Sequence, residues 1–218
     1  MERMRERSLW TYVACVAAMA LLVSVIVLRV DKLALHAAIN AHHAPWADAF
    51  FPYWTLLATG WAPTVAAIAL LWRSWRCFLM VGLSAGLSAL AVQALKHFAF
   101  SGHDRPVEFI AAMPGLHLVG GEVMNHHFSF PSGHATAAFS MCLALAVVIG
   151  RRGPAVLLAL FAASLGFSRI YLSQHFTEDV LAGAIVGTCM SIVVYRMVYK
   201  GRWGHHPALD RSPFRARR

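Results

Sequence analysis

The chain has 218 residues, 59% of them hydrophobic and 13% charged, and carries a formal net charge of +9. So apolar a composition excludes an ordinary soluble domain, and the length suits one compact helical bundle in lipid. Net positive charge alone would admit a nucleic-acid binder, but its placement along the chain argues against one.

An uncharged run from Ser8 to Leu28 follows Arg3, Arg5 and Arg7. It is long enough to cross the roughly 30 Å hydrocarbon layer as a helix. It begins as a signal peptide does, yet it exceeds a typical h-region and no small-x-small cleavage site follows, so it is expected to be retained. From Asp31 to Tyr53, Leu33, Leu35 and Ile39 mix with Asn40, His42 and His43 before an aromatic stretch of Trp46, Phe50, Phe51 and Tyr53. This predicts an interfacial helical segment, a pair of helices on the outer face. Ala49 to Trp72 and Cys77 to Leu95 supply the second and third spans.

The segment from Ala99 to Phe130 is longer than a simple connection requires, which marks a lid or binding loop. Pro106, Pro114, Gly115, Gly120 and Gly121 oppose a long helix within it. Ala135 to Gly150, Gly153 to Ser168 and Val180 to Tyr195 are shorter apolar runs and complete a six-span count. The spacings Gly82/Gly86 and Gly183/Gly187 suit close packing inside one bundle. The fold expected is therefore all-α, a polytopic membrane bundle of six transmembrane helices. Its single domain covers residues 1–200, and a basic tail at 201–218 reads as solvated and disordered.

In this layout 14 of the 19 basic residues fall on one side, in the N-terminus, the links at Arg73 to Arg76 and Arg151 to Arg152, and the tail. By the positive-inside rule both termini are cytoplasmic. Of the other five, Lys96, Arg105 and Arg169 stand in polar clusters at the opposite face. The first cluster is Lys96 with Arg105-Pro106, the second is Pro131-Ser132-Gly133-His134, and the third is Ser168-Arg169 with His175 and Asp179. Cationic side chains match phosphate charge, and a Ser-Gly pair opening a helix offers a hydroxyl and backbone N–H donors. Two histidines can divide nucleophilic and acid roles. All three clusters reach one membrane face, although the phosphate chemistry was not used to assign that face.

These motifs resemble those of the type-2 phosphatidic acid phosphatase superfamily, membrane phosphatases related to vanadium haloperoxidases. The family pattern is K-x6-RP, PSGH and SR-x5-H-x3-D within a core that here spans residues 96–179. The second and third motifs are intact, and the first departs only in that eight residues separate Lys96 from Arg105. The resemblance implies hydrolysis of a lipid phosphate without metal or other cofactor, through a phosphohistidine on His175. Asp179 would then orient His175, and His134 would protonate the leaving oxygen. Lys96, Arg105, Ser132, Gly133 and Arg169 would bind the phosphate, although Ser132 and Asp179 also fit as helix caps and Lys96 as a snorkelling residue. His103, His117, His126 and His127 lack a metal-ligand spacing and read as surface residues.

The partners implied are a lipid phosphate and the membrane, with no nucleic acid, and the location is the cytoplasmic membrane with the site facing outside or the periplasm. A phosphotransferase acting between lipids, or a catalytically silent lipid-binding member, would carry the same motifs. The charge asymmetry makes one direct prediction: Ser101→Cys is labelled by an impermeant thiol reagent on intact cells. Labelling only after permeabilisation reverses the topology.

Overall fold

The computed structural model describes residues 2–121 and 123–214, so the final arginines, Arg215, Arg217 and Arg218, lie outside the described residues. Among the described residues there are eight α-helices: α1 (Glu2–Arg29), α2 (Lys32–Asn40), α3 (Pro45–Trp54), α4 (Trp61–Leu70), α5 (Trp75–Ala94), α6 (Gly133–Ile149), α7 (Arg152–Tyr171) and α8 (Thr177–Tyr195). Among the described residues there is no strand. Four of the described segments are long and apolar enough to cross a membrane: α1, α5 with its extension to Ala99, α7, and α8 with its extension to Lys200.

The second expected span is broken. Pro45–Ala58 and Trp61–Leu70 meet at an angle of 51° and make a fifth crossing only if counted together. The break falls where α3, which contains Pro52, runs into a 3₁₀ turn, and Thr59 then takes an extended conformation before α4. The sixth run is α6, whose 17 residues give about 26 Å of helix. That is short for a span exposed to lipid, but α6 is sheathed by α1, α5, α7 and α8.

α6 is the axis of the bundle, with twelve buried residues that include Ala135, Phe139, Leu143 and Val147. Ser132 caps its N-terminus and accepts a hydrogen bond from the Ala135 N–H. Gly150 ends it in the left-handed region, at φ 71°, where a glycine carries no Cβ penalty. On α8, a Cβ at Gly183 would strike the Ser132 carbonyl, and one at Gly187 would strike the Thr136 carbonyl. The expected close packing is therefore present at this pair, whereas Gly86 on α5 faces open space. Tyr12 of α1 donates to the Phe139 carbonyl at 3.1 Å, and Ser191 of α8 to the Ser140 carbonyl at 2.9 Å. Leu21, Leu28, Leu90, Leu157 and Leu160 are exposed around the bundle, as lipid-facing positions would be.

α2 and α3 appear where an interfacial pair was expected, with Asp31 capping α2 through the Leu33 and Ala34 N–H groups. The tail departs from expectation, because residues 201–214 are packed against the bundle. Arg76 makes a bidentate pair with Asp210 at 2.6 and 2.8 Å and donates to the carbonyls of Val198 and Gly204. Trp72 stacks on Phe214, and Ser212 donates to the Leu71 carbonyl. Basic composition suggested solvation, but one buried guanidinium with four acceptors holds the segment down.

Candidate active site

The site forms where the C-terminal end of α7 and the N-terminal ends of α6 and α8 meet. α7 closes with Ser173 at φ 52°, in the left-handed region, and the Arg169 carbonyl accepts from the N–H groups of Gln174 and His175. This closure places His175, 1% exposed, over the start of α8. A serine in that backbone region costs free energy unless braced. α2 provides the brace, since Ser173 Oγ lies 3.1 Å from His36 Nε2 and 3.2 Å from Asn40 Nδ2. Burial pushes His36 down to about 4, so it remains a neutral member of this network at physiological pH.

Asp179 reaches back from the first turn of α8. Its Oδ2 accepts from the Phe176 N–H at 2.9 Å, lies 3.4 Å from His175 Nδ1, and accepts from Ser129 Oγ at 2.5 Å. Capping and contact with the histidine therefore coexist on one carboxylate. Ser129 also lies 3.4 Å from His175 Nδ1, so its hydroxyl ties the histidine and carboxylate together. With Nδ1 protonated toward Asp179, Nε2 presents its lone pair on the side of Arg105, whose Nη1 is 3.5 Å away. Burial, then the charges of Arg105, Arg169 and Lys96, holds the His175 imidazole well below the usual histidine range. A histidine so shifted is neutral at physiological pH, with a lone pair free on one ring nitrogen.

Arg105 is held from both sides. Its Nε donates to the His127 carbonyl at 3.0 Å and its Nη1 to the Gln174 carbonyl at 3.0 Å, while its own N–H donates to the His126 carbonyl. Arg169 donates to Thr55 Oγ1 at 2.9 Å. Lys96 joins the same cluster despite its displaced spacing. α5 widens at its end into a π-turn over Leu95–Ala99, which rotates Lys96 inward. There it is 9% exposed, donates to the Phe128 carbonyl at 2.8 Å, and interacts electrostatically with Arg105, Arg169 and Asp179. It is therefore not a snorkelling residue. His134, on the first turn of α6, feels the charges of Arg169, Arg105 and Lys96 and lies near His175. Ser132 and Gly133 form the α6 N-terminus beside it, with Ser132 N–H donating to the Asp179 carbonyl.

A largely apolar crevice of about 560 Å³ runs between α4, α5 and α6, with Gly133 and His134 in its wall. Small residues line it, Ala67, Gly82, Ala85, Gly86 and Ala89 among them. All eight candidate residues thus converge. Ser129, Gln174, Thr55 and the His36–Asn40–Ser173 brace were not anticipated, because no periodicity or charge pattern marks them. His117 is not a simple surface residue either: its side chain is 28% exposed and its ring bonds Asp48.

A family model described as the PAP2 superfamily matches residues 75–203. The lipid A 4'-phosphatase of Bacteroides thetaiotaomicron is 25% identical over 169 residues, covering 74% of this chain and 74% of that protein. The crystal structure of Aquifex aeolicus LpxE matches with a TM-score of 0.66 at 28% identity, over 76% of this chain and 94% of that one. A transmembrane PAP2-type phosphatidylglycerolphosphate phosphatase from Bacillus subtilis shares the fold at TM-score 0.62 and 22% identity, over 88% of this chain and 97% of its own.

Proposed function

The chain belongs to the PAP2 superfamily and is a hydrolase of phosphoric esters, and from that footing we propose that it removes phosphate from a membrane lipid, a monoester or the terminal group of a diphosphate, through a phospho-His175 intermediate. The protein is multi-pass. Our reading gives it six spans over residues 1–200, a cytoplasmic tail, and a site at the outer or periplasmic interface of the cytoplasmic membrane. The relative named as a lipid A phosphatase supports a lipid substrate. The observation that carries the reading is the crevice, which is lined by mostly apolar residues, many of them small, and includes His134 in its wall. A lipid chain lying there would bring its ester oxygen to His134, which puts the leaving group beside the proposed acid and opposite His175.

In the first step His175 Nε2 forms a bond to phosphorus as the P–O(lipid) bond breaks, and His134 gives its proton to the departing oxygen. Asp179 and Ser129 hold the Nδ1 side and balance the positive charge that grows on the imidazole. In the second step His134 takes a proton from water as the water oxygen bonds phosphorus and the P–N bond breaks, releasing phosphate and restoring His175. Lys96, Arg105 and Arg169 would engage the equatorial oxygens, assisted by the N–H groups opening α6. Three cations and a helix N-terminus supply the charge neutralisation of the transition state, so no step is assigned to a metal.

Three outcomes check this reading. His134→Ala should slow release of the alcohol from an alkyl lipid phosphate by about 10²- to 10⁴-fold, the usual scale of acid catalysis, but spare first-turnover release of p-nitrophenolate, a leaving group that needs no proton. His175→Ala should abolish both reactions, and a phosphohistidine trapped from that variant would reverse the two roles.

Ser129→Ala removes a hydrogen bond to a carboxylate, which is about 1.5–3 kcal/mol. The kcat should therefore fall roughly 10- to 100-fold with little change in KM, and Ser129→Thr should recover part of it. An unchanged kcat would confine Ser129 to a structural role.

Gly86→Leu projects into the crevice without meeting any atom at its Cβ. Displacing two lipid methylenes costs about 1.6 kcal/mol. The KM for a long-chain lipid phosphate should thus rise roughly tenfold, whereas p-nitrophenyl phosphate kinetics should not change. Equal effects on both substrates would remove the crevice from substrate binding.

A further inference from the structure

A second polar cluster lies outside the phosphate chemistry. His43 is in the turn between α2 and α3, Asp48 in the first turn of α3, and His117 in the long outer loop. One ligand atom from each lies within 4.8 Å of the others. The His43 and His117 rings are stacked, with centroids 3.9 Å apart and planes at 16°. His117 Nε2 is 3.0 Å from Asp48 Oδ2.

The surroundings fix these groups. Tyr171 donates to Asp48 Oδ1 at 2.5 Å, which anchors the carboxylate oxygen not facing His117. Asn40, itself 5% exposed, grips the His117 backbone by donating to its carbonyl and accepting from its N–H, both at 2.8 Å. The His117 and Asp48 side chains are about a quarter exposed and His43 is exposed, so an ion and completing waters have access.

We propose that His43, Asp48 and His117 bind a divalent transition-metal ion, Zn²⁺ being the best match, which fastens the outer loop to the α2–α3 turn. Two imidazoles and one carboxylate are a zinc ligand set, with water available for the fourth position. One carboxylate is too few for Ca²⁺ or Mg²⁺, which require six or more oxygen ligands. A surface ion pair accounts for the Asp48–His117 contact alone. It does not account for a second imidazole nitrogen within 4.8 Å of both groups, nor for the phenol fixed on the far carboxylate oxygen, the place an outer-shell partner of a metal ligand takes. Coordination requires a lone pair at His117 Nε2, so the ion replaces the proton shared with Asp48 and the tautomer moves to Nδ1–H.

Position gives the site its consequence. Tyr171 is two residues beyond Arg169, and further along the His117 loop the carbonyls of His126 and His127 hold Arg105. The ion would stiffen that loop without touching the reacting atoms.

The test uses the full chain in detergent, with any affinity tag cleaved and metal stripped by chelator, titrated with Zn²⁺ and then with Co²⁺ as a spectroscopic probe. One Zn²⁺ per chain, a raised melting temperature and Co²⁺ ligand-field bands are expected. His43→Gln should melt at the wild-type temperature without metal and lose more affinity than Tyr171→Phe, for which the scale is about 10- to 100-fold. Zn²⁺ uptake that survives in the His43→Gln/His117→Gln double variant would overturn the site, as would no uptake by the wild type. The binding assay contains no substrate, so its failure is distinct from failure of the phosphatase reading, which hydrolysis by the stripped protein checks separately.

Discussion

The contact between α6 and α8 is the constraint on which the site depends. Two glycines, Gly183 and Gly187, allow the backbone of α8 to meet the carbonyls of Ser132 and Thr136. The Ser132 N–H then donates to the Asp179 carbonyl at 2.9 Å, which locks the two helix N-termini in register. Ser132, Gly133 and His134 therefore face His175 and Asp179 without any loop having to position them. A side chain at either glycine would separate the motifs before it disturbed the rest of the core. Small-residue contacts of this kind are how helices in lipid gain association, since apolar burial alone does not distinguish a neighbouring helix from a lipid tail.

This contact must coexist with three clustered cations. Lys96, Arg105 and Arg169 are each 9% exposed or less, and Lys96 and Arg105 both feel the charge of Asp179. Backbone carbonyls moderate the cost: Phe128 accepts from Lys96, and His127 and Gln174 accept from Arg105. Partial charges on carbonyls stabilise cations without cancelling their field, so the cluster retains a net attraction for a phosphate dianion. Burial first, and then the same field, hold His175 below the usual histidine range and leave its lone pair available. In the proposed mechanism, electrostatic preorganisation and activation of His175 would thus arise from one arrangement.

Much of this was legible in the sequence, for definite physical reasons. Chemistry that needs specific residue types at specific spacings, as in Pro131 to His134 and Ser168 to Asp179, leaves a signature that composition cannot blur. Long apolar runs likewise announce helices, and α1, α5, α7 and α8 fall where they were expected. The missed features all depend on contacts remote in sequence. Ser129 meets Asp179 across fifty positions, and Asn40 meets Ser173 across 133. Lys96 looked displaced because a π-turn changes the relation between spacing and facing, and no residue type in Leu95–Ala99 signals such a turn. The tail was misjudged because charge predicts solvation only until a complementary charge is buried beneath it, as Arg76 is beneath Asp210.

The division between what the helices fix and what the loop fixes bears on substrate choice. The proposed phosphate cradle is built on helix ends, apart from Arg105, and the crevice that would take a lipid chain lies between helices. A headgroup would instead meet the outer loop, where Gln174 connects the two: it accepts from Arg105, and its amide donates to the Val123 carbonyl. Changes in that loop can therefore alter which headgroup is admitted while leaving the His175–Asp179 geometry in place. Such changes reach the proposed reaction through Arg105, whereas changes nearer the end of the loop, at Phe128 or Ser129, would also reach Lys96 and Asp179.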